Sequence, residues 1–254
     1  MNTNPQGSVK TTIKDGVAHI QFAHPAHNAM PGAQLAHLAQ AIHEAGNNPD
    51  AKVIVLSSGG DRTFCAGASF DELLAIEDFE TGKAFFMGFA NVINAMRTCP
   101  KFIIGRIQGK AVGGGVGLAS ATDFCVSTQY ASVKLSELAI GIGPFVVGPA
   151  VERKIGNSAF TAMSIDAADW RSAQWAKEKG LFAAVFDNVS DMDDYIHSLA
   201  QKLVKYSPEA MAELKKVFWA GTENWDTLLP ERAAISGRLV LSDFTKDFIK
   251  RFKS

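Results

Sequence analysis

Cysteine is scarce in this 254-residue chain: Cys65, Cys99 and Cys125 are all it has, with no CxxC spacing. So odd and sparse a set excludes a disulfide framework and fits a reducing, cytoplasmic setting. Charge of one sign is missing too, since the formal net charge is −1. Nucleic acid needs a basic excess to neutralise phosphates, so it is not expected as the main partner. Long apolar runs are also absent. The longest, residues 139–151, is broken by Gly141, Gly143, Pro144 and Gly148, so no segment is expected to span a membrane. The polar residues 1–10 lack the apolar core of a secretory signal. His24 and His27 have HxxH spacing but no third or fourth ligand nearby in sequence, so no metal site is expected and both read as loop residues. Internal repeats and low-complexity stretches are not evident.

What is present is ordinary globular composition, 47% hydrophobic and 20% charged. The length allows one large domain or two small ones. Residues 9–13 and 17–22 alternate around Asp15-Gly16, a hairpin signal. Leu35, Leu38, Ile42 and Ala45 have helical spacing over residues 34–45, stopped by Gly46 to Pro49. Residues 53–56 form an unbroken apolar strand of the kind buried on both faces, and 57–62 read as a turn. Phe85, Phe89, Val92 and Met96 form a helical stripe, read as core packing. Residues 101–107, 124–126 and 131–135 read as strands, and 181–186 as a brief one. Helices are expected over 172–179, 192–204, 208–218, 225–240 and 243–252, the first ended by Gly180. Strands alternating with helices, then helices alone, indicate an α/β core with a helical C-terminal part.

The most informative run is Gly113-Gly114-Gly115-Val116-Gly117. So many glycines cost chain entropy, and they persist where a backbone comes very close to something or needs positive φ. Behind a strand at 101–107 and before a short helix at 118–121, the run points free N–H groups at a ligand atom carrying negative charge. A tight packing turn explains it equally well. A second small-residue turn, residues 63–69, also follows a buried strand. If the two turns adjoin, Ala68 and Gly114 offer two N–H groups to one oxygen, an oxyanion hole. Glu137 is the lone carboxylate in the apolar, glycine-broken stretch 135–151. Desolvation there would raise its basicity and suit it to proton transfer at carbon. The alternatives are a helix-start carboxylate after Ser136 or an ion partner for Lys134. A dinucleotide turn, with Gly115-x-Gly117-x-x-Ser120, fits poorly because its third position is Ser and two short strands precede the acid.

These residues resemble the crotonase superfamily, the enoyl-CoA hydratases and isomerases. The resemblance runs from about Val9 to the C-terminus. It is carried by Phe64-Cys-Ala-Gly-Ala-Ser69, Gly109-Lys-Ala-Val-Gly-Gly-Gly115, Ser136-Glu-Leu-Ala-Ile-Gly-Ile142 and Ala176-Lys-Glu-Lys-Gly-Leu181, with weaker echoes at Pro25-Ala-His-Asn-Ala29 and Lys250-Arg-Phe-Lys253. It implies a ββα spiral core over residues 1–195. It also implies a helical region over 196–254 that serves oligomerisation in a homotrimer or a dimer of trimers. It implies an acyl-CoA thioester whose carbonyl oxygen sits between the Ala68 and Gly114 amides, with an enolate intermediate. The remaining substrate-binding positions it implies are Ala26, Ala66, Ser69, Phe70, Asp71 and Gly113. No separate cofactor is implied, because coenzyme A is part of the substrate.

Two departures stand out. Family hydratases usually carry two glutamates, and the first belongs where this chain has Gly117. Only the second, Glu137, remains. One acid suffices for a double-bond shift, whereas hydration needs a substitute. Asp71 and Glu72 are the nearest candidates, with a solvated helix start as their plainer reading. Asp71 also stands where the family often has Lys. The resemblance therefore implies hydration or isomerisation of an enoyl-CoA with Glu137 as the single acid/base. The alternative is a non-catalytic acyl-CoA-binding or scaffold protein that has lost the first glutamate.

Overall fold

The computed structural model describes residues 7–253; residues 1–6, part of the polar N-terminal stretch, and Ser254 lie outside the described residues. The chain opens on the expected hairpin, β1 (Ser8–Lys14) and β2 (Val17–Ala23), turning through Asp15 and Gly16, both at positive φ. Helix α1 (Gly32–Asn47) leads to β3 (Val53–Ser58), which continues two residues into the expected turn. Then follow β4 (Thr63–Cys65), α2 (Phe70–Ala75), α3 (Phe79–Thr98), β5 (Ile103–Ile107), β6 (Lys110–Val112), α4 (Gly114–Ser120), β7 (Phe124–Thr128) and β8 (Ser132–Lys134). After a long turn-rich segment come α5 (Gly148–Ile165), β9 (Arg171–Ser172), α6 (Ala173–Glu178) and β10 (Ala184–Phe186). The helices α7 (Val189–Leu203), α8 (Pro208–Phe218), α9 (Trp225–Leu239) and α10 (Asp243–Lys253) finish the chain.

The strands fall into two sheets, ordered β1-β2-β3-β5-β7-β10 and β4-β6-β8-β9. Each turn of the chain lays one strand in the larger sheet and the next in the smaller: β3 then β4, β5 then β6, β7 then β8. A helix closes each turn. This is a ββα repeat in structure without a repeat in sequence, because only the apolar pattern recurs. Alternation in β2 sends Ala18, Ile20 and Phe22 inward and leaves His19 and Gln21 exposed. In β3 Val53, Ile54, Val55 and Leu56 are all buried. Ile54 and Leu56 join the main core, and Val53 and Val55 join a second cluster with Met192, Ile196 and Ala200 of α7. Full burial of each such side chain is worth roughly 1.5–3 kcal/mol.

Two expectations change here. A strand, β6, intervenes between β5 and the glycine run, and the helix begins at Gly114 instead of Leu118. Glycines 114, 115 and 117 are helical, and only Gly113, at φ 51, makes the turn. Propensity argues against three helical glycines, but contact requires all three, Gly114 lying against Phe89 of α3. A Cβ on Gly115 would lie 2.6 Å from the Cys65 carbonyl oxygen, and one on Gly117 2.4 Å from Val147 Cγ1. The expected division between residues 195 and 196 falls inside α7, whose Ile196 and Ala200 pack on the larger sheet. Helix α9 crosses α3 where Gly82 and Gly237 meet; a Cβ on Gly82 would lie 2.7 Å from the Gly237 carbonyl oxygen.

Candidate active site

Strands β4, β6 and β8 are parallel neighbours, so their C-terminal ends leave the smaller sheet on one edge. Ligands collect at such carboxyl ends, where loops are free to vary. The three exits are residues 66–69, 113–114 and 135–137, and they front a cavity of about 760 Å³. The positions that the resemblance assigns to catalysis or substrate binding all line it: Ala26, Ala66, Ala68, Ser69, Phe70, Asp71, Gly113, Gly114 and Glu137. Gly117 does not; its neighbour Val147 does.

The turn after β4 is fixed by its own backbone. Gly67, at φ 86, passes so close to the β6 exit that a Cβ there would lie 2.9 Å from the Val112 carbonyl oxygen and 3.6 Å from the Gly114 nitrogen. Met30 N donates to the Gly67 carbonyl and Ser69 N to the Met30 carbonyl, which leaves the Ala68 amide between them uncommitted. At the β6 exit Gly113 N donates to the Lys134 carbonyl, whereas Gly114 N, at the start of α4, has no helical acceptor. The amides of Ala68 and Gly114 donate to no acceptor among the described residues, and they sit on adjoining strand exits at one cavity wall. Phe89 of α3 presses on Gly114, where a Cβ would lie 2.2 Å from its ring. Phe86 and Phe89 thus pack the core and line the cavity at once.

Glu137 begins a turn in which Ile142 N donates to its carbonyl at 2.9 Å. No helix starts there, and Glu137 makes no ion pair with Lys134, whose ammonium lies over the Trp170 ring, 4.7 Å from its centroid. The carboxylate rests against Gly113; a Cβ at 113 would lie 2.8 Å from Glu137 Oε1. Its Oε2 is enclosed and has no hydrogen-bond partner. Burial therefore pushes the carboxyl up to about 7, with its own backbone N–H pulling weakly the other way.

The candidates for a substitute second acid separate. Glu72 Oε2 accepts from Gly32 N at 2.7 Å, bracing the start of α1; it is committed to structure and is not the freely solvated carboxylate expected. Asp71 lines the cavity and is exposed. Ser69 caps α2, its hydroxyl accepting from Glu72 N. The loop carrying Ala26 is tied down by Asn28, whose amide donates to the carbonyls of Gly59 and Thr63 at 2.7 and 2.8 Å. His24 and His27 sit in that loop as expected and also line the cavity. Among the described residues no group of three or more His, Cys, Asp or Glu side chains converges as a metal site, and no helix is long and apolar enough to cross a membrane.

Sequence reasoning missed Val147, Trp170 and the roof. Helices α9 and α10 supply Ser236 and Phe248 to the cavity, and Phe244 packs on Gly141 of the Glu137 loop. Their separation in sequence gave no signal, since only folding brings the C-terminus over residues 135–147.

The enoyl-CoA hydratase/isomerase family model matches residues 12–250. A carnitinyl-CoA dehydratase from Salmonella paratyphi A is 29% identical over 220 residues, 85% of this chain and 82% of that one. Among solved structures, an enoyl-CoA hydratase from Mycobacterium avium is 25% identical, with a TM-score of 0.85, covering 100% of this chain and 97% of that one. An enoyl-CoA hydratase from Bacillus halodurans shares the fold at 19% identity with a TM-score of 0.88, covering 96% and 99%. The chain belongs to the enoyl-CoA hydratase/isomerase family, within the crotonase superfamily.

Proposed function

We propose that the chain acts on an enoyl-CoA thioester and shifts its double bond by moving a proton through Glu137. The thioester oxygen lies between the amides of Ala68 and Gly114. The Glu137 carboxylate takes a proton from the α carbon of a 3-enoyl thioester. The electron pair moves into the carbonyl, giving an enolate that the two amides stabilise, and protonated Glu137 returns the proton to the γ carbon. Each such amide is typically worth roughly 3–4 kcal/mol at the transition state. A carboxyl near 7 has both forms at hand at neutral pH, as a shuttle that must accept and return one proton requires.

The observation that carries this reading is the Glu137 carboxyl, its enclosed Oε2 without a partner, on a largely apolar cavity beside two uncommitted amides. A scaffold protein would gain nothing from that desolvated acid. Hydration is the second reading, and the relatives' names favour it. Against it, the place next to Gly117 is filled by the Val147 side chain, so no second acid stands where a family hydratase has one. We further propose a cytoplasmic homotrimer or dimer of trimers, with the C-terminal helices at the subunit contacts and no cofactor beyond the CoA of the substrate.

Incubation with matched 2-enoyl and 3-enoyl thioesters in deuterated water tests the mechanism. Solvent deuterium at the α and γ carbons, with interconversion exceeding hydration, is the expected result. Glu137→Gln should lower turnover by about 10²–10⁴-fold while retaining CoA binding. Unchanged turnover in that variant would make Glu137 structural and sink the proposal.

A further inference from the structure

The far end of the cavity has a chemistry that proton shuttling does not use. Lys134 is the one Lys or Arg among its described lining residues. Its Nζ lies 4.7 Å from the Trp170 ring centroid, and Lys110 Nζ lies 5.2 Å from the same centroid. One lysine over a tryptophan is a common cation–π pair. Two on one ring repel each other unless an anion joins them. Neither ammonium makes a hydrogen bond or ion pair among the described residues; the two lysines bond only through their backbones, as in Lys110 N to the Arg62 carbonyl. The nearby acids do not serve: Asp166 is taken by Arg171 at 2.6 Å, and Asp169 pairs with neither lysine. Trp170 is 40% exposed and lines the cavity together with Lys134, and Lys110 is exposed beside them at the same ring.

Strand order says which end of a ligand would reach it. Neighbouring strands lie roughly 4.8 Å apart, and the order is β4-β6-β8-β9. The amides of Ala68 and Gly114 stand at the β4 and β6 exits, and Glu137 stands past β8. Lys134 ends β8, and Arg171 of β9 pairs antiparallel with Val133, which sets Trp170 beside Lys134. The Ala26 loop lies on the opposite side, held to the β4 exit by Ala66 N donating to the His27 carbonyl. With the CoA portion along 26 and 66–71, the acyl group runs past Glu137 toward β9.

We propose that the acyl group this enzyme accepts ends in an anionic group, a carboxylate or an equivalent oxyanion, received by Lys134 and Lys110 beside Trp170. The inference rests on the thioester reading above. Anionic oxygens could also come from the CoA phosphates, but those belong to the β4 side. Charge-assisted hydrogen bonds from two ammonium groups would hold such an end, and the apolar walls formed by Ile142, Val146 and Phe145 would hold the methylenes before it.

Calorimetric binding tests this without needing turnover. Three probes are used: CoA, a saturated methyl-ended acyl-CoA, and the mono-CoA thioester of the dicarboxylic acid of the same length. The carboxyl-ended thioester should bind at least roughly tenfold tighter than the methyl-ended one. Lys134→Met should bring that ratio down to about one, and Lys134→Arg should keep most of it. No preference in the unaltered protein overturns the proposal. So does a loss in Lys134→Met that is equal for all three probes, CoA included, because the lysine then meets CoA phosphate. The deuterium experiment on methyl-ended enoyl thioesters separates failure of this inference from failure of the proton-transfer reading.

Discussion

Two buried carboxylates, fourteen residues apart in sequence, have opposite surroundings. Asp123, with its side chain 3% exposed, is saturated. Its Oδ1 accepts from Trp219 Nε1 at 2.8 Å, and its Oδ2 accepts from Ile103 N at 2.7 Å and pairs with Lys215 Nζ at 2.9 Å. Glu137 has an enclosed Oε2 and no partner for it. Asp123 fastens α8 of the C-terminal region to β5, and Lys215 adds a second tie to the Lys101 carbonyl at 2.8 Å. A saturated carboxylate holds the fold and is of little use to a substrate. An unsaturated one costs stability and is kept where it acts on something that comes and goes.

The largest expected effect comes from unmaking the saturated site. Lys215→Met leaves Asp123 charged and buried without its ammonium, a change that typically costs about 3–5 kcal/mol. Denaturant unfolding should show that loss, with the C-terminal helices opening first in hydrogen exchange. Glu137→Gln should show no loss and, at neutral pH, a gain, since a neutral amide escapes the desolvation cost. Equal destabilisation by both variants would erase the distinction between the two carboxylates.

The next effect is in pH. The folded-state Glu137 carboxyl is raised from 4.5 to about 7. Between those values the folded state holds a proton that the unfolded chain has released. Stability contributed by this group is therefore fully present below about 4.5 and lost as pH rises toward about 7, a fall on the order of 3 kcal/mol. Subtracting the profile of Glu137→Gln isolates it. Turnover that begins with the ionised carboxylate should rise through the same window. A difference profile that is flat, or that rises with pH, would mean that water or a partner solvates Glu137.

How far the sequence carried this picture depends on distance along the chain. The hairpin, the buried strand at 53–56 and the C-terminal helices are local patterns, and they are where periodicity placed them. The glycine run was ambiguous because close packing and cavity-lining backbone overlap in it: Gly114, Gly115 and Gly117 are closely packed, and Gly113 and Gly114 front the cavity. Strand β6 was missed because Lys110-Ala-Val112 is too short to show alternation. Glu137 was legible as a lone acid among apolar residues. The anchoring role of Asp123 was not, since Lys215 and Trp219 lie far along the chain. Nor did any pattern in residues 144–147 show that Val147 would meet Gly117.

The smallest effect, and the sharpest for the chemistry, lies at that last contact. Gly117→Ala places a Cβ 2.4 Å from Val147 Cγ1, and such overpacking typically costs about 1–3 kcal/mol. Val147→Ala should relieve most of it, as a double-mutant cycle would read. Gly117→Glu alone should fail for want of room, so it cannot judge the missing acid. Paired with Val147→Gly, it supplies a second carboxylate in the cavity and the space to hold it. Two carboxylates in one apolar site push a proton onto one of them, which provides the acid and base that water addition needs. Hydration should then rise relative to isomerisation in the paired variant. If the paired variant binds CoA and folds but its product ratio is unchanged, the absent glutamate at 117 is not what sets this site's chemistry.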